Sequence, residues 1–129
     1  MKTKLLTLLV VCLSALFARA GDFPDISVSD LKTAIAEKKA VIIDVNGADS
    51  YKAAHIPGAL DFSSVKAELA TKLPADKNAL VVAYCGGPRC NAYSAAAKAA
   101  KELGYTNVKH LSAGLSGWKK AGETTEAVN

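Results

Sequence analysis

The chain has no internal repeat, no low-complexity stretch and no linker, so its 129 residues leave room for one domain. It also lacks an apolar run of the roughly 20 residues that a membrane-spanning helix needs. The longest such run, Leu5 to Ala18, follows the basic start Met1-Lys2-Thr3-Lys4 and leads into Ala18-Arg19-Ala20. That order reads as a secretory signal peptide over residues 1–20, cut before Gly21, with no stable membrane anchor after cleavage. An exported protein is expected, periplasmic or secreted. The basic excess goes with the leader: without Lys2, Lys4 and Arg19, 13 basic residues face 12 acidic ones, and the net charge falls from +4 to +1. No electrostatic case for a nucleic-acid partner remains.

Cysteine and histidine are equally sparse. Of three cysteines, Cys12 lies in the leader, and Val10-Val11 before it excludes a lipoprotein cleavage site. Cys85 and Cys90 remain, too close in sequence for a disulfide between them to add much stability. The two histidines, His55 and His110, stand at no zinc-ligand spacing, so no metal is expected. His55, before Pro57-Gly58, reads as a hydrogen-bonded scaffold residue that supports the site, and His110 as structural.

What is present is a succession of strands and helices. Residues 21–26 read as an extended lead-in. Ser27 or Ser29 caps a first helix bearing Leu31, Ala34 and Ile35. The β-branched run Ala40 to Val45 and the run Ala79 to Tyr84 lack alternation, as strands covered on both faces do. A short helix over Asp49–Ala54 and a short strand at Ala59–Phe62 follow the first run. Ser63 or Ser64 then caps a helix to about Leu73. An alanine-rich helix runs from Asn91 to Leu103, a strand covers Val108–Leu111, and a short helix carries Trp118 to Gly122. Residues 27–122 form the domain, and 123–129 read as a flexible tail. Alternating strands and helices predict an α/β fold with a mostly parallel central sheet flanked by helices. Ligands bind such sheets beyond the carboxyl ends of the strands, which singles out the loop 85–90.

Cys85 ends a buried strand just before a helix. Unpaired N–H groups and the helix dipole favour negative charge there, so its thiol should ionise more readily than a free cysteine and act as the nucleophile. Gly86 and Gly87 let successive N–H groups turn inward as an anion-binding nest, and Arg89 adds a fixed charge. Asp44, at the end of the other buried strand, reads as a loop brace near this pocket.

With these residues in view, the chain resembles a single-domain rhodanese, a family of sulfurtransferases, over residues 27 to 122. Ile42-Ile43-Asp44-Val45 with Tyr51 and His55-Ile56-Pro57-Gly58-Ala59 is similar to the family's first signature. Val82-Ala83-Tyr84-Cys85 and the following loop are similar to its active-site segment. Leu103-Gly104-Tyr105, Val108 and Ala113-Gly114-Leu115 with Trp118 are similar to its closing segment. The resemblance implies that Cys85 attacks a donor such as thiosulfate, becomes a persulfide, and passes the sulfur to cyanide or a thiol, without a metal or organic cofactor. Backbone N–H groups of Gly86, Gly87, Arg89, Cys90 and Asn91 would hold the extra sulfur.

Four features depart from the family. Asn46 stands where many members have arginine, Pro88 offers no N–H, Ala113 replaces a glycine, and Cys90 puts a second thiol in the loop. Cys90 could resolve a persulfide by expelling hydrosulfide, or protect Cys85 from over-oxidation. Alternative readings are an exported thiol–disulfide protein using Cys85 and Cys90, and a sulfur carrier without turnover. A phosphatase-type loop needs arginine six positions after the cysteine, where this chain has Asn91.

Overall fold

The computed structural model describes residues 23–129, and the expected leader lies outside them. Ser27 caps the first helix, α1 (Val28–Ala36), its hydroxyl accepting the Asp30 N–H at 3.0 Å. Then come β1 (Ala40–Asp44), α2 (Ala48–Ala53) and β2 (Leu60–Asp61). The single helix expected to begin at Ser63 or Ser64 is instead two short turns, α3 (Phe62–Val65) and α4 (Leu69–Lys72), joined by a 3-10 turn at Lys66–Glu68. Its cap is Asp61, whose carboxylate accepts from the Ser63 N–H and from the Ser63 and Ser64 hydroxyls. An acidic side chain that collects three donors outcompetes either serine as the cap. The chain continues through β3 (Leu80–Tyr84), α5 (Tyr93–Glu102), β4 (Asn107–Leu111) and α6 (Gly114–Lys120).

All four strands pair in parallel, in the order β2-β1-β3-β4. Asp44 of β1 lies beside Asp61 and Tyr84, and Tyr84 beside Leu111, so the carboxyl ends of the strands are level. The side-chain period of two sorts the apolar residues onto two faces. Ile43, Val81, Ala83 and Val108 pack with Leu69 and with Ala96, Ala97 and Ala100 of α5. Methyl side chains on that helix let it lie close to the sheet. On the other face Ile42, Val82, Tyr84 and Leu111 pack with Leu31 of α1, Ile56 and Trp118 of α6. A helix-covered parallel sheet is the α/β fold expected from the sequence.

Residues 123–129 form a strap, not the flexible tail expected. Glu126 exchanges two backbone hydrogen bonds with His55, each 2.9 Å, and the Val128 N–H reaches the Lys52 carbonyl at 2.9 Å. The Trp118 indole N–H donates to the Thr124 carbonyl at 2.8 Å, and Lys32 pairs with Glu123 at 2.9 Å. The buried His55 has its Nδ1 2.8 Å from the Tyr51 carbonyl and its Nε2 3.6 Å from a Glu126 carboxylate oxygen. Its ring stacks on Tyr51. The strap thus closes over the segment that follows α2, where backbone pairing with the buried His55 offsets the small apolar content of the strap.

Truncation after Glu123 removes the His55 pairing and the indole acceptor together. We expect a loss of about 1–3 kcal/mol from the orphaned buried donors. A chemical-denaturation midpoint equal to that of the full chain would show that the strap contributes nothing.

Candidate active site

Residues 85–92 connect β3 to α5 at the carboxyl end of the sheet, and the six from Cys85 to Cys90 form the loop. Cys85 is 1% exposed, whereas Gly86, Pro88 and Arg89 face solvent and Cys90 is half-buried. The loop is shaped by its neighbour, α6. Ala113 at the start of that helix gives no side-chain cap. The first free N–H groups of α6 go instead to the loop: Leu115 donates to the Cys85 carbonyl and Ser116 to the Gly86 carbonyl, each at 2.9 Å. Within a planar trans peptide the C=O and the next N–H point opposite ways. Holding these two carbonyls therefore turns the N–H groups of Gly86 and Gly87 away from α6 and into the loop.

The contact requires glycine at position 114. Its φ is +62°, and a Cβ there would stand 2.5 Å from the Gly87 nitrogen, 2.7 Å from the Gly86 carbonyl carbon and 2.8 Å from the Cys85 oxygen. Ala113 occupies the neighbouring position without obstructing this approach.

The Cys90 N–H does not join the expected cradle. It donates to the Gly87 carbonyl at 3.2 Å and closes a turn across Pro88 and Arg89. Two donors absent from the sequence reading take its place. Tyr93 donates its N–H to the Cys85 sulfur at 3.1 Å, and the Ala92 N–H bonds to both sulfurs. They belong to the start of α5, whose N-cap Ala92 supplies no side chain either. The available signal was the rule that the first N–H groups of a helix lack intrahelical partners. Arg89 and Asn91 are both exposed.

Protonation of the pair also reverses the expectation. Burial, then the hydrogen bond to Cys90, pushes the Cys85 thiol up to about 12, against the opposing pull of the Tyr93 and Ala92 N–H groups. At Cys90 burial works against ionisation, but hydrogen bonds from the Cys85 thiol and from the Ala92 and Gly86 N–H groups prevail, and its pKa is lowered. The helix start does favour a thiolate, but the less buried sulfur takes the charge first, and the deeper one keeps the proton.

The base of the loop is a closed polar network. Asp44, fully buried, accepts from the Asn46 N–H at 2.7 Å and from the Tyr84 hydroxyl at 2.5 Å. Tyr84 in turn accepts the Ile56 N–H at 3.0 Å. Burial, then the bond to Asp44, raises the Tyr84 pKa far above its ordinary value, so the phenol remains a donor. Asp44 is therefore a brace beneath the loop, and His55 is held in the scaffold at the strap. The Asn46 side chain lies over Gly86, its oxygen 3.6 Å from where a Cβ would stand. Its buried amide nitrogen has no partner. His110 stacks on the Tyr93 ring, and burial lowers its pKa, which keeps the imidazole neutral.

Among the described residues no cluster of histidine, cysteine and acidic side chains is suited to hold a metal. None of the described helices is long and apolar enough to cross a membrane.

The rhodanese-like domain family matches residues 27–121. A protein of Bacillus halodurans with a solved structure is 27% identical, with a TM-score of 0.63, over 81% of this chain and 77% of that one. The rhodanese-like domain of an Anabaena protein is 25% identical, with a TM-score of 0.65, over 81% and 80%. A thiosulfate sulfurtransferase from Pseudomonas aeruginosa shares the fold at 24% identity and a TM-score of 0.68, covering 85% of this chain and 20% of that one. An HTH-type transcriptional regulator of Mycobacterium tuberculosis is 33% identical over 85 residues, and the match spans 36% of its length.

Two measurements check this geometry. Gly114→Ala should cost at least about 2 kcal/mol from the left-handed backbone and the displaced loop, lowering Tm by roughly 10 °C. An unchanged melting curve would show that the close approach is dispensable. Near neutral pH, iodoacetamide should modify Cys90 before Cys85, because a lowered thiol pKa means more thiolate and a raised one less. Peptide mapping that finds Cys85 alkylated first would reverse the assignment.

Proposed function

Because the chain belongs to the rhodanese-like domain family, we propose that it transfers sulfane sulfur through a persulfide on Cys85. The observation that carries this reading is the convergence of the Tyr93 and Ala92 N–H groups on the buried Cys85 sulfur, under a loop whose Gly86 and Gly87 N–H groups also turn inward. Such a ring favours an anionic sulfur and the further sulfur attached to it.

The pair must lose one proton to become reactive. Passing the proton that remains from Cys85 to Cys90 moves the negative charge to the deeper sulfur, where the start of α5 faces it. The Cys85 thiolate attacks the outer sulfur of thiosulfate; the new S–S bond forms as the bond to the sulfite group breaks, and sulfite leaves with that electron pair. Cys85 then carries a persulfide anion, and cyanide or a thiol takes its outer sulfur. The Asn46 amide nitrogen, without a partner beside Gly86, offers a neutral donor to an oxygen of the incoming group. Cys90 takes the Cys85 proton, whereas Asp44 and His55 are engaged with Asn46, Tyr84, Tyr51 and Glu126 and are assigned no proton to move. The leader-like residues 1–20 support placing this activity in an exported compartment, the periplasm first.

Reduced, air-free protein mixed with thiosulfate is expected to release sulfite, and Cys85→Ser to release none. Sulfite release that persists in Cys85→Ser removes Cys85 as the nucleophile.

A further inference from the structure

We propose that Cys90 discharges the Cys85 persulfide, so that the loop also acts as a persulfide reductase that releases hydrosulfide and leaves a Cys85–Cys90 disulfide. This deepens the sulfur-transfer reading and rests on it. The turn closed by the Cys90 N–H on the Gly87 carbonyl folds the loop back, with Pro88 at its corner to stiffen it. Cys90 is thereby held with its sulfur within hydrogen-bonding reach of Cys85. Both thiols are free. The outer sulfur of a persulfide would sit among the loop N–H groups, whereas the sulfur within reach of Cys90 is the inner one, Sγ of Cys85.

A thiol so placed attacks the inner sulfur. The Cys90 electron pair forms a bond to Cys85 Sγ, and the bond from Sγ to the outer sulfur breaks. The outer sulfur departs with that pair and takes the Cys90 proton. The persulfide anion and one thiol thus become one disulfide and one hydrosulfide ion, with charge and atoms conserved. The sulfane sulfur is reduced by two electrons, and the two cysteines are oxidised by two. A dithiol reductant from outside the chain then restores the pair. The lowered pKa of Cys90 eases the passage of its proton to the outer sulfur, and the thiolate so formed is the attacking form. The small disulfide loop adds little to the stability of the fold, so opening it costs the domain little.

The test is a single turnover in the absence of reductant and air. Wild type, Cys90→Ser and Cys90→Ala are each mixed with thiosulfate and run to completion, and sulfite, hydrosulfide and intact mass are measured. The expected result is one sulfite and one hydrosulfide per wild-type chain, with a Cys85–Cys90 disulfide found by peptide mapping. Both variants, lacking the Cys90 proton acceptor, should yield sulfite more slowly than wild type but to completion, should yield no hydrosulfide, and should retain one extra sulfur atom on Cys85. Wild type that keeps the extra sulfur on Cys85 and yields sulfite alone would overturn the inference and leave sulfur transfer standing. Sulfur found on Cys90 would overturn it as well, because attack would then have fallen on the outer sulfur. Hydrosulfide in equal amount from wild type and both variants would do the same. No sulfite from any of the three would remove sulfur transfer and this inference together.

Discussion

The geometry of this site depends on two hydrogen bonds that carry no side-chain chemistry: those from the Leu115 and Ser116 N–H groups to the carbonyls of Cys85 and Gly86. A loop rich in glycine has many conformations of similar energy, and its N–H groups would otherwise scatter. Fixing two carbonyls on the neighbouring helix fixes two peptide planes, and with them the inward direction of the next two N–H groups. The helix that performs this task is itself secured at both ends. Gly114 permits its close approach to the loop, while Trp118 is buried in the core and tied through its indole N–H to the strap at Thr124. Distant residues thus set the direction of the groups that face the reactive sulfur.

Beneath the loop, the level ends of the parallel strands supply the other half of the restraint. Asp44 and Tyr84 are register partners on adjacent strands, and their side chains join in a hydrogen bond where both are fully buried. A buried carboxylate without partners would be costly, but this one accepts from a phenol and from the Asn46 backbone. Through Tyr84 it also reaches the Ile56 N–H, so one acidic group ties β1, β3 and the segment before β2 to a common point. This arrangement explains an acidic residue at the end of an apolar strand without assigning it a proton to move.

The parts of this structure that depend on local pattern were legible in the sequence. Ala40–Asp44 and Leu80–Tyr84 are unbroken apolar runs until the brace residues that end them, and the alanine stripe of α5 follows helical spacing. What depends on contacts between distant residues was not legible. Asp61 rather than a serine caps α3, because three donors converge on its carboxylate once the chain turns there. The strap has the composition of a frayed end, and only its pairing with His55, far away in sequence, orders it. The charge order of the two thiols was equally hidden. A helix start predicts an acidic thiol in that neighbourhood, but the relative burial of Cys85 and Cys90 decides which sulfur holds the proton. Their ionisations belong to the pair, with one loss of a proton made easy and the second made hard.

That coupling bears on the fate of a sulfur atom held in the loop. An acceptor from solution must find the outer sulfur through the open side formed by Gly86, Pro88 and Arg89, and it arrives at the concentration of the free acceptor. Cys90 lies in the same loop within hydrogen-bonding reach of Cys85, so its attack is intramolecular and is limited by alignment rather than encounter. Well-aligned intramolecular groups reach effective concentrations far above those of any dissolved thiol, and misplacement by about 1 Å forfeits much of the advantage. The division between transfer and reduction is therefore set by the angle at which the Gly87–Cys90 turn presents one sulfur to the other. The same turn removes the Cys90 N–H from the cradle, so the loop gives up one donor to the outer sulfur and gains a nucleophile against the inner one. A side chain with no thiol at this position would restore neither the donor nor the reduction, since the turn, not the sulfur, engages the amide. In the proposed chemistry, position 90 thus decides between transfer and reduction while the cradle keeps its architecture.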